Sequence, residues 1–181
     1  MAYLSLADAK TYLGIASSDT SDDALLNLLL VAAQAAIDHF CDRTFEATAS
    51  TGRTFDASIA VRGPLLLLDR DLAQVDSITN GDTAATMITS ADYLTLPADP
   101  PYQALYLKPT TGIQWTGTIT VSGRWAYSIL PPAPIIHAMR EYLTTLYRSY
   151  SQQASQTRQL APTAALPAHL MHLLDGYRRL A

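Results

Sequence analysis

Three side chains near the end of the sequence have the types and spacing of metal ligands. His169 and His172 stand three residues apart in "AHLMHLLDGYRR", and Asp175 follows three residues further. On a helix, this spacing brings the imidazoles to one face, where they and a carboxylate could bind zinc. Histidines at this spacing are also common on amphipathic helices, and no second ligand cluster occurs in the sequence. We therefore predict no metal ligand and no cofactor.

Paired carboxylates could perform general acid and base chemistry. Asp22 and Asp23 stand together, as do Asp69 and Asp71, but both pairs lie in turn-like contexts where solvated acids are common. Catalysis would require burial to shift one carboxyl beside the other. The sequence also has no G-x-S-x-G turn and no glycine-rich phosphate loop. No catalytic and no cofactor-binding residue is assigned, and a structural or binding protein is predicted instead of an enzyme.

Aromatic side chains could stack on the bases of single-stranded nucleic acid. Trp115, Trp125 and Tyr127 flank the segment "GTITVSG", where aromatic residues usually pack against a sheet. We expect core or rim packing for all three. The only cysteine, Cys41, ends an apolar helical run and is predicted to be buried.

The charge is unevenly distributed along the chain. The formal net charge is −4, with −5 in residues 1–50, −2 in residues 51–130 and +3 in residues 131–181. No part has the dense basic patch that tight binding of phosphate requires. The sequence also shows no export signal, and the apolar run 24–37 is too short to span a membrane. We expect synthesis in a cytoplasm and no membrane partner.

Helices and a strand-rich insert must position these side chains. The sequence predicts an α+β fold: a helical layer of three to four helices, an inserted antiparallel β region and a tethered C-terminal helix. Ser5 and Thr20 are predicted to cap the first two helices, and Gly14 to end the first. The predicted boundaries are a domain 1–150 with helices 5–13, 20–42 and 132–150 and a β insert at about 51–127, a polar linker 151–165, and a C-terminal helix 166–181.

Short bursts of β-branched and aromatic residues, separated by Gly, Pro and Asp, mark the strands. Residues 75–89, "VDSITNGDTAATMIT", are typical of a hairpin in which Asn80 and Gly81 adopt positive φ angles. The seven predicted strands are "RTFDA", "PLLLLD", "VDSIT", "TMIT", "DYLTL", "ALYLK" and "GTITVSG".

The order of these segments resembles the head-tail connector (adaptor) proteins of tailed bacteriophages. The opening "LSLADAKTYLGIASSDTSDDALLNLLLVAAQAAIDHFCDRTF" has a short helix, an acidic turn and a long helix that ends in the corner Arg43, Thr44 and Phe45. The final strand, followed by prolines and a helix, in "GTITVSGRWAYSILPPAPIIHAMREYLTTLYRS" also matches. The closing "LPAHLMHLLDGYRRL" is similar to the family's last element, so the resemblance covers nearly the whole chain.

The resemblance implies a structural protein of the virion at the head-tail junction. It would form a ring of about twelve copies below the portal protein. The resemblance also implies a part in DNA packaging: DNA would pass through the ring without specific binding, and the ring would provide a platform for a stopper or tail protein. In this family the tails engage the portal, so a portal-docking set is predicted: Leu170, Leu173, Leu174, Tyr177, Arg178 and Arg179.

The second helix has a wider apolar arc than one small helical layer needs. We therefore expect one of its rows to contact neighbouring copies, namely Leu26, Leu30, Ala33 and Ile37. An alternative for the last helix is that it folds back on its own domain. Alternatives for the whole chain are a stopper or tail-completion protein of the same neck, a DNA-binding regulator, and an enzyme.

Overall fold

The computed structural model describes residues 3–154 and 165–179. The chain divides into two compact units: a helical unit of Met1–Asp42 with Pro131–Ala181, and a β unit of Arg43–Leu130. The predicted α+β class, with a β region inserted between helices, is confirmed.

The predicted helices and strands occur in the predicted order. The helices are α1 (Leu6–Leu13), α2 (Asp23–Cys41), α3 (Ala57–Ala60), α4 (Ala133–Ala154) and α5 (Ala168–Asp175). The strands are β1 (Thr51–Asp56), β2 (Val61–Arg62), β3 (Leu65–Leu72), β4 (Gln74–Thr79), β5 (Met87–Ile88), β6 (Tyr93–Leu96), β7 (Tyr102–Leu107) and β8 (Thr118–Arg124).

Each of the seven predicted strands has a counterpart, whereas the short β2 and α3 were not predicted. The predicted linker 151–165 begins too early, because residues 151–154 continue α4. Residues 155–164 lie outside the described residues.

Local sequence signals set the ends of α1. The Ser5 hydroxyl accepts a hydrogen bond from the backbone N–H of Asp8 at 3.1 Å, and Gly14 ends the helix with a φ of 74°. Both were predicted, and glycine is suited to this left-handed position because it has no Cβ.

The predicted cap of α2 is wrong. The helix begins at Asp23, and Thr20 accepts from the Asp23 amide through its backbone carbonyl instead of its hydroxyl. Asp23 is held instead by Lys10, whose buried ammonium lies 2.7 Å from the carboxylate. This ion pair fixes the start of α2 against α1.

The helical unit is built around α2, which packs against α1, α4 and α5. One row of α2 is buried: Leu26, Leu30, Ala33, Ile37 and Cys41. Among the described residues, α2 alone is long and apolar enough to cross a membrane, but a core helix passes the same test. Its buried row is what a core helix is expected to show.

The β unit contains two four-stranded antiparallel sheets. The first has the order β1-β8-β4-β5 and the second the order β2-β3-β7-β6. Side chains from both sheets form one core. Its members include Phe55, Ile78, Ile119 and Val121 from the first sheet and Leu66, Leu68 and Leu105 from the second.

The predicted hairpin exists, because β4 and β5 pair in antiparallel register. Its predicted turn chemistry is wrong: the left-handed residue is Ala85, with a φ of 49°, and neither Asn80 nor Gly81 has a positive φ. Asn80 is buried, and its side chain donates to the carbonyl of Gln114 and accepts from the Thr116 amide. At Gly81, a Cβ would lie 2.1 Å from a backbone nitrogen, so close backbone approach requires glycine here.

Candidate functional site

The first candidate surface is α5, which carries the predicted docking set. Leu170 and Leu174 are buried, and α5 packs against α2 and α4 of its own unit. The alternative in which the last helix folds back is therefore the arrangement observed. This corrects the picture of a freely tethered helix, because the two leucines that were expected to meet a partner are already covered.

The remaining members of the docking set are more accessible. Leu173 is partly exposed, Tyr177 is half-buried, and Arg178 is exposed. The Arg178 guanidinium lies over the Phe40 ring, 5.2 Å from its centroid, and the Arg179 amide donates to the carbonyl of Cys41 at 2.9 Å. The segment after α5 therefore also covers the C-terminal end of α2.

Polar contacts fix the start of α5. His169 Nε2 lies 2.9 Å from a Glu141 carboxylate oxygen, and His137 Nε2 lies 3.1 Å from the other oxygen of the same carboxylate. The described residues contain no group of three side chains able to hold a metal. The pairing with Glu141 accounts for His169, while His172 and Asp175 are exposed near it along α5.

The second candidate surface is α2. The four residues predicted for contacts between copies, Leu26, Leu30, Ala33 and Ile37, are all buried. This prediction named the wrong face: these side chains form the interior row of α2 and are not available to a neighbouring copy.

The opposite face of α2 is apolar and exposed. We call the residues Ala24, Leu28, Val31 and Ala35 the outer stripe. They recur at intervals of four, three and four residues and so lie along one side of the helix. Leu28 is 70% exposed and Val31 66%. No charged side chain lies in the stripe, which is unusual for a solvent-facing helix surface.

The third candidate surface is the second sheet of the β unit. Its register places Leu65, Tyr106 and Leu94 side by side in one row. The alternate residues Leu66 and Leu105 belong to the core, so this row points away from it. The row beside it completes what we call the outer sheet face: Leu65, Leu67, Leu94, Leu96, Ala104 and Tyr106.

An outer face of this composition is atypical. A sheet with one solvated face normally alternates apolar and polar residues, whereas strands that are covered on both faces are continuously apolar. Leu94 is 50% exposed and Leu67 44%, whereas the small Ala104, between Leu67 and Leu96 in the register, is buried. The outer sheet face thus has the composition of a covered surface without a covering layer among the described residues.

One concavity of the helical unit is lined mainly by polar side chains. This cleft of about 520 Å³ is lined by Tyr12, Glu141, Tyr147, Arg148 and His169, among others.

The pKa values of Tyr147 and Asp38, both in the helical unit, are raised. The hydrogen bond to Asp22 at 2.5 Å raises the pKa of the Tyr147 hydroxyl, and burial raises the pKa of Asp38, which accepts from the Tyr3 hydroxyl.

The aromatic candidates for base stacking serve the β unit, as predicted. Trp115 is buried in the core and donates to the Pro64 carbonyl at 2.8 Å. Trp125 packs beside Phe55, with the ring centroids 5.8 Å apart. The Tyr127 ring packs beside Phe45 and under the Arg43 guanidinium, which pairs with the buried Asp71 at 3.2 Å. The corner at residues 43–45 therefore stabilises the β unit.

Sequence reasoning missed both exposed apolar faces, although each had a signal. The outer stripe has helical spacing, but the opposite face of α2 is equally apolar, so periodicity could not tell which face is interior. The outer sheet face is indicated by "LLLL" at residues 65–68, which lacks the alternation of a half-buried strand.

Comparison with known proteins supports the resemblance inferred from the sequence. Residues 3–64, about a third of the chain, match the family described as phage gp6-like head-tail connector protein. No curated protein sequence matches the chain. The predicted resemblance to head-tail connectors is confirmed by the family match.

Solved structures share the fold over 88–99% of the chain. A chain in the neck of an empty GTA particle, computed with C6 symmetry, has a TM-score of 0.66 at 17% identity, covering 99% of this chain and 91% of that chain. A chain in the virion of a native gene transfer agent (GTA) particle has a TM-score of 0.62 at 20% identity, with the same coverage. A third, from the neck of a native GTA particle computed with C12 symmetry, has a TM-score of 0.50 at 19% identity and covers 88% of this chain and 89% of that chain.

Proposed function

We propose that this chain is a structural head-tail connector of a phage-like virion, located in the neck and assembled as a ring. The family match over residues 3–64 and the structures of similar fold from a neck and from a virion support this role. The single observation that carries the assembly is the outer stripe of α2, an uncharged apolar helix face that the described residues leave uncovered.

Ring assembly gives a physical reason for this surface. Removing apolar area from water stabilises association by about 25 cal/mol per Å² before the costs of ordering are subtracted. Repeating one modest contact around a closed ring covers the stripe in every copy. The similar neck structures were computed with C6 and C12 symmetry, which supports such a repeat.

The partners are part of the proposal. A portal protein lies above the ring, a stopper or tail protein lies below it, and DNA passes through. The net charge of −4 per copy disfavours tight binding of the phosphate backbone, so the duplex would pass without specific contacts. The role is structural, with no catalytic step assigned to the chain.

Docking of α5 on the portal stays a prediction, and the structure shows what this docking would require. Leu170 and Leu174 can reach a partner only if α5 leaves α2 and α4. Deleting residues 160–181 is therefore a poor test, because it also removes these two leucines from the interior of the helical unit. Leu173 and Arg178 can be changed without that loss, because both are accessible in the folded chain.

A charge on the outer stripe tests the proposed ring. We expect Val31→Asp to prevent ring assembly while leaving the chain folded, because Val31 is 66% exposed but would be buried between copies. Analytical ultracentrifugation and electron microscopy, with the chain alone and with portal rings, measure this. Met87→Asp is the matched control, since Met87 is 60% exposed on β5 of the first sheet, outside both apolar faces. Rings formed equally by the wild-type chain and Val31→Asp would refute the role of the stripe.

A further inference from the structure

The described residues contain two uncovered apolar faces of different shape. The outer stripe of α2 is a narrow ridge, and two of its four residues are alanines. The outer sheet face consists of two rows of residues that cross β3, β7 and β6. Packing of a helix on a sheet is one of the basic layer arrangements of protein domains. The helix ridge and the sheet face are therefore suitable partners in shape and in chemistry.

We propose that the outer sheet face receives the outer stripe of α2 from a second copy of this chain. This inference rests on the ring of the proposed function and names the two surfaces that meet in it. In a closed ring, each copy uses two different faces, one toward each neighbour. One helix-on-sheet contact per junction would cover both faces of every copy and leave neither exposed.

The charges around the two faces favour the same pairing. The helix α2 contains Asp23 and Asp38 and no lysine or arginine. The six residues of the outer sheet face are uncharged. Arg62 continues one row, opposite Leu65 in the register of β2 and β3, and Asp69, which is paired with Arg53, follows Leu67 two residues further along β3. The Arg62 guanidinium donates to the carbonyls of Ile59 and Val61 and is largely exposed at this edge. Asp23 is already paired with Lys10, so Asp38, three residues beyond Ala35 of the stripe, is the acid of α2 that can meet the positive charge at this edge.

A pair of single substitutions tests the junction. Leu28→Lys places a cation on the stripe, and Leu94→Glu places an anion on the sheet face. Both residues are at least half exposed in the single chain, so both variants should fold. Each variant alone should lose about tenfold or more of its rings, because every junction would bury an unpaired charge.

Mixing the two variants in equal amounts should restore rings. The Leu28→Lys copy keeps an intact sheet face and the Leu94→Glu copy keeps an intact stripe, so alternate junctions are either fully native or pair Lys with Glu. Native mass spectrometry would then show both variants in each ring in equal numbers. Met87→Glu, on β5 of the other sheet and 60% exposed, is the matched control and should assemble like the wild-type chain.

The outcomes separate this inference from the proposed function. Wild-type rings together with a mixture that stays unassembled would overturn the pairing of stripe and sheet face, and the connector role would stand. Normal rings from Leu94→Glu alone would overturn it in the same way. A wild-type chain that forms no rings, alone or with portal, would overturn the connector role as well.

Discussion

The two faces of α2 have nearly the same composition and opposite environments. Leu26 and Leu30 lie in the interior of the helical unit, whereas Leu28 and Val31 on the other side are exposed. A helix in a single soluble domain normally needs one apolar stripe. In the proposed assembly, α2 serves two interiors, one within its own chain and one that forms only between copies.

Truncating a leucine on each face should give the largest contrast. We expect Leu26→Ala to lower the free energy of unfolding by roughly 2–5 kcal/mol, because it leaves a cavity in a packed core. Leu28→Ala should change it by less than about 0.5 kcal/mol, as exposed sites usually do. Urea unfolding followed by circular dichroism measures both. Equal losses in the two variants would show that the outer stripe is also covered within the chain.

Truncating a buried and an exposed leucine of α5 should also have different effects. The difference should be smaller than on α2, because α5 is one short helix. Leu174 is buried against the unit and Leu173 is partly exposed. The buried Cys41 thiol lies 4.0 Å from the Leu174 carbonyl, so it reports whether α5 is in place. We expect Leu174→Ala to increase the rate at which a thiol reagent labels Cys41 by about tenfold or more, through local opening. Leu173→Ala should leave that rate nearly unchanged.

Adding portal rings turns the same thiol into a test of docking. If α5 transfers to the portal, Cys41 of the wild-type chain becomes reactive when the rings are present. Unchanged protection of Cys41 in a portal-bound chain would contradict docking through Leu170 and Leu174.

The smallest expected effect concerns Asp38, on the polar edge between the two faces of α2. Burial raises its pKa above the ordinary 3.8, while the hydrogen bond from Tyr3 lowers it. The folded chain therefore holds this proton more tightly than the unfolded chain, so stability falls as the pH rises from 3.8 through the raised pKa. Asp38→Asn should remove that part of the pH dependence, with an effect below about 1 kcal/mol.

Removing the hydroxyl of Tyr3 gives the opposite result. Tyr3→Phe deletes the hydrogen bond that lowers the pKa of Asp38, so the loss of stability with rising pH should become steeper. Thermal unfolding from pH 3 to pH 7 compares the two variants with the wild-type chain. A curve for Asp38→Asn that still falls in the same window would assign the pH dependence to another group.

The sequence predicted the class of fold, the order of elements and the cap at Ser5, because these depend on local periodicity and turn chemistry. It could not assign the rows of α2, since both are apolar and only the positions of α1, α4 and α5 decide which row is interior. The position of α5 could not be predicted either, because a polar linker allows the helix to dock on a partner or to fold back on its own domain. At Asn80 and Gly81, contacts to residues 114–118 replaced the local turn that the pair usually forms.

The outer stripe as an assembly surface is the central claim, and the accessibility of one thiol tests it most directly. Leu28→Cys places a reactive group on the stripe, and the buried Cys41 adds little background. Maleimide labelling of position 28 should be fast in the free chain and slowed by about tenfold or more in the assembled ring. Equally fast labelling in both states would contradict the account, because the stripe would then remain in water after assembly.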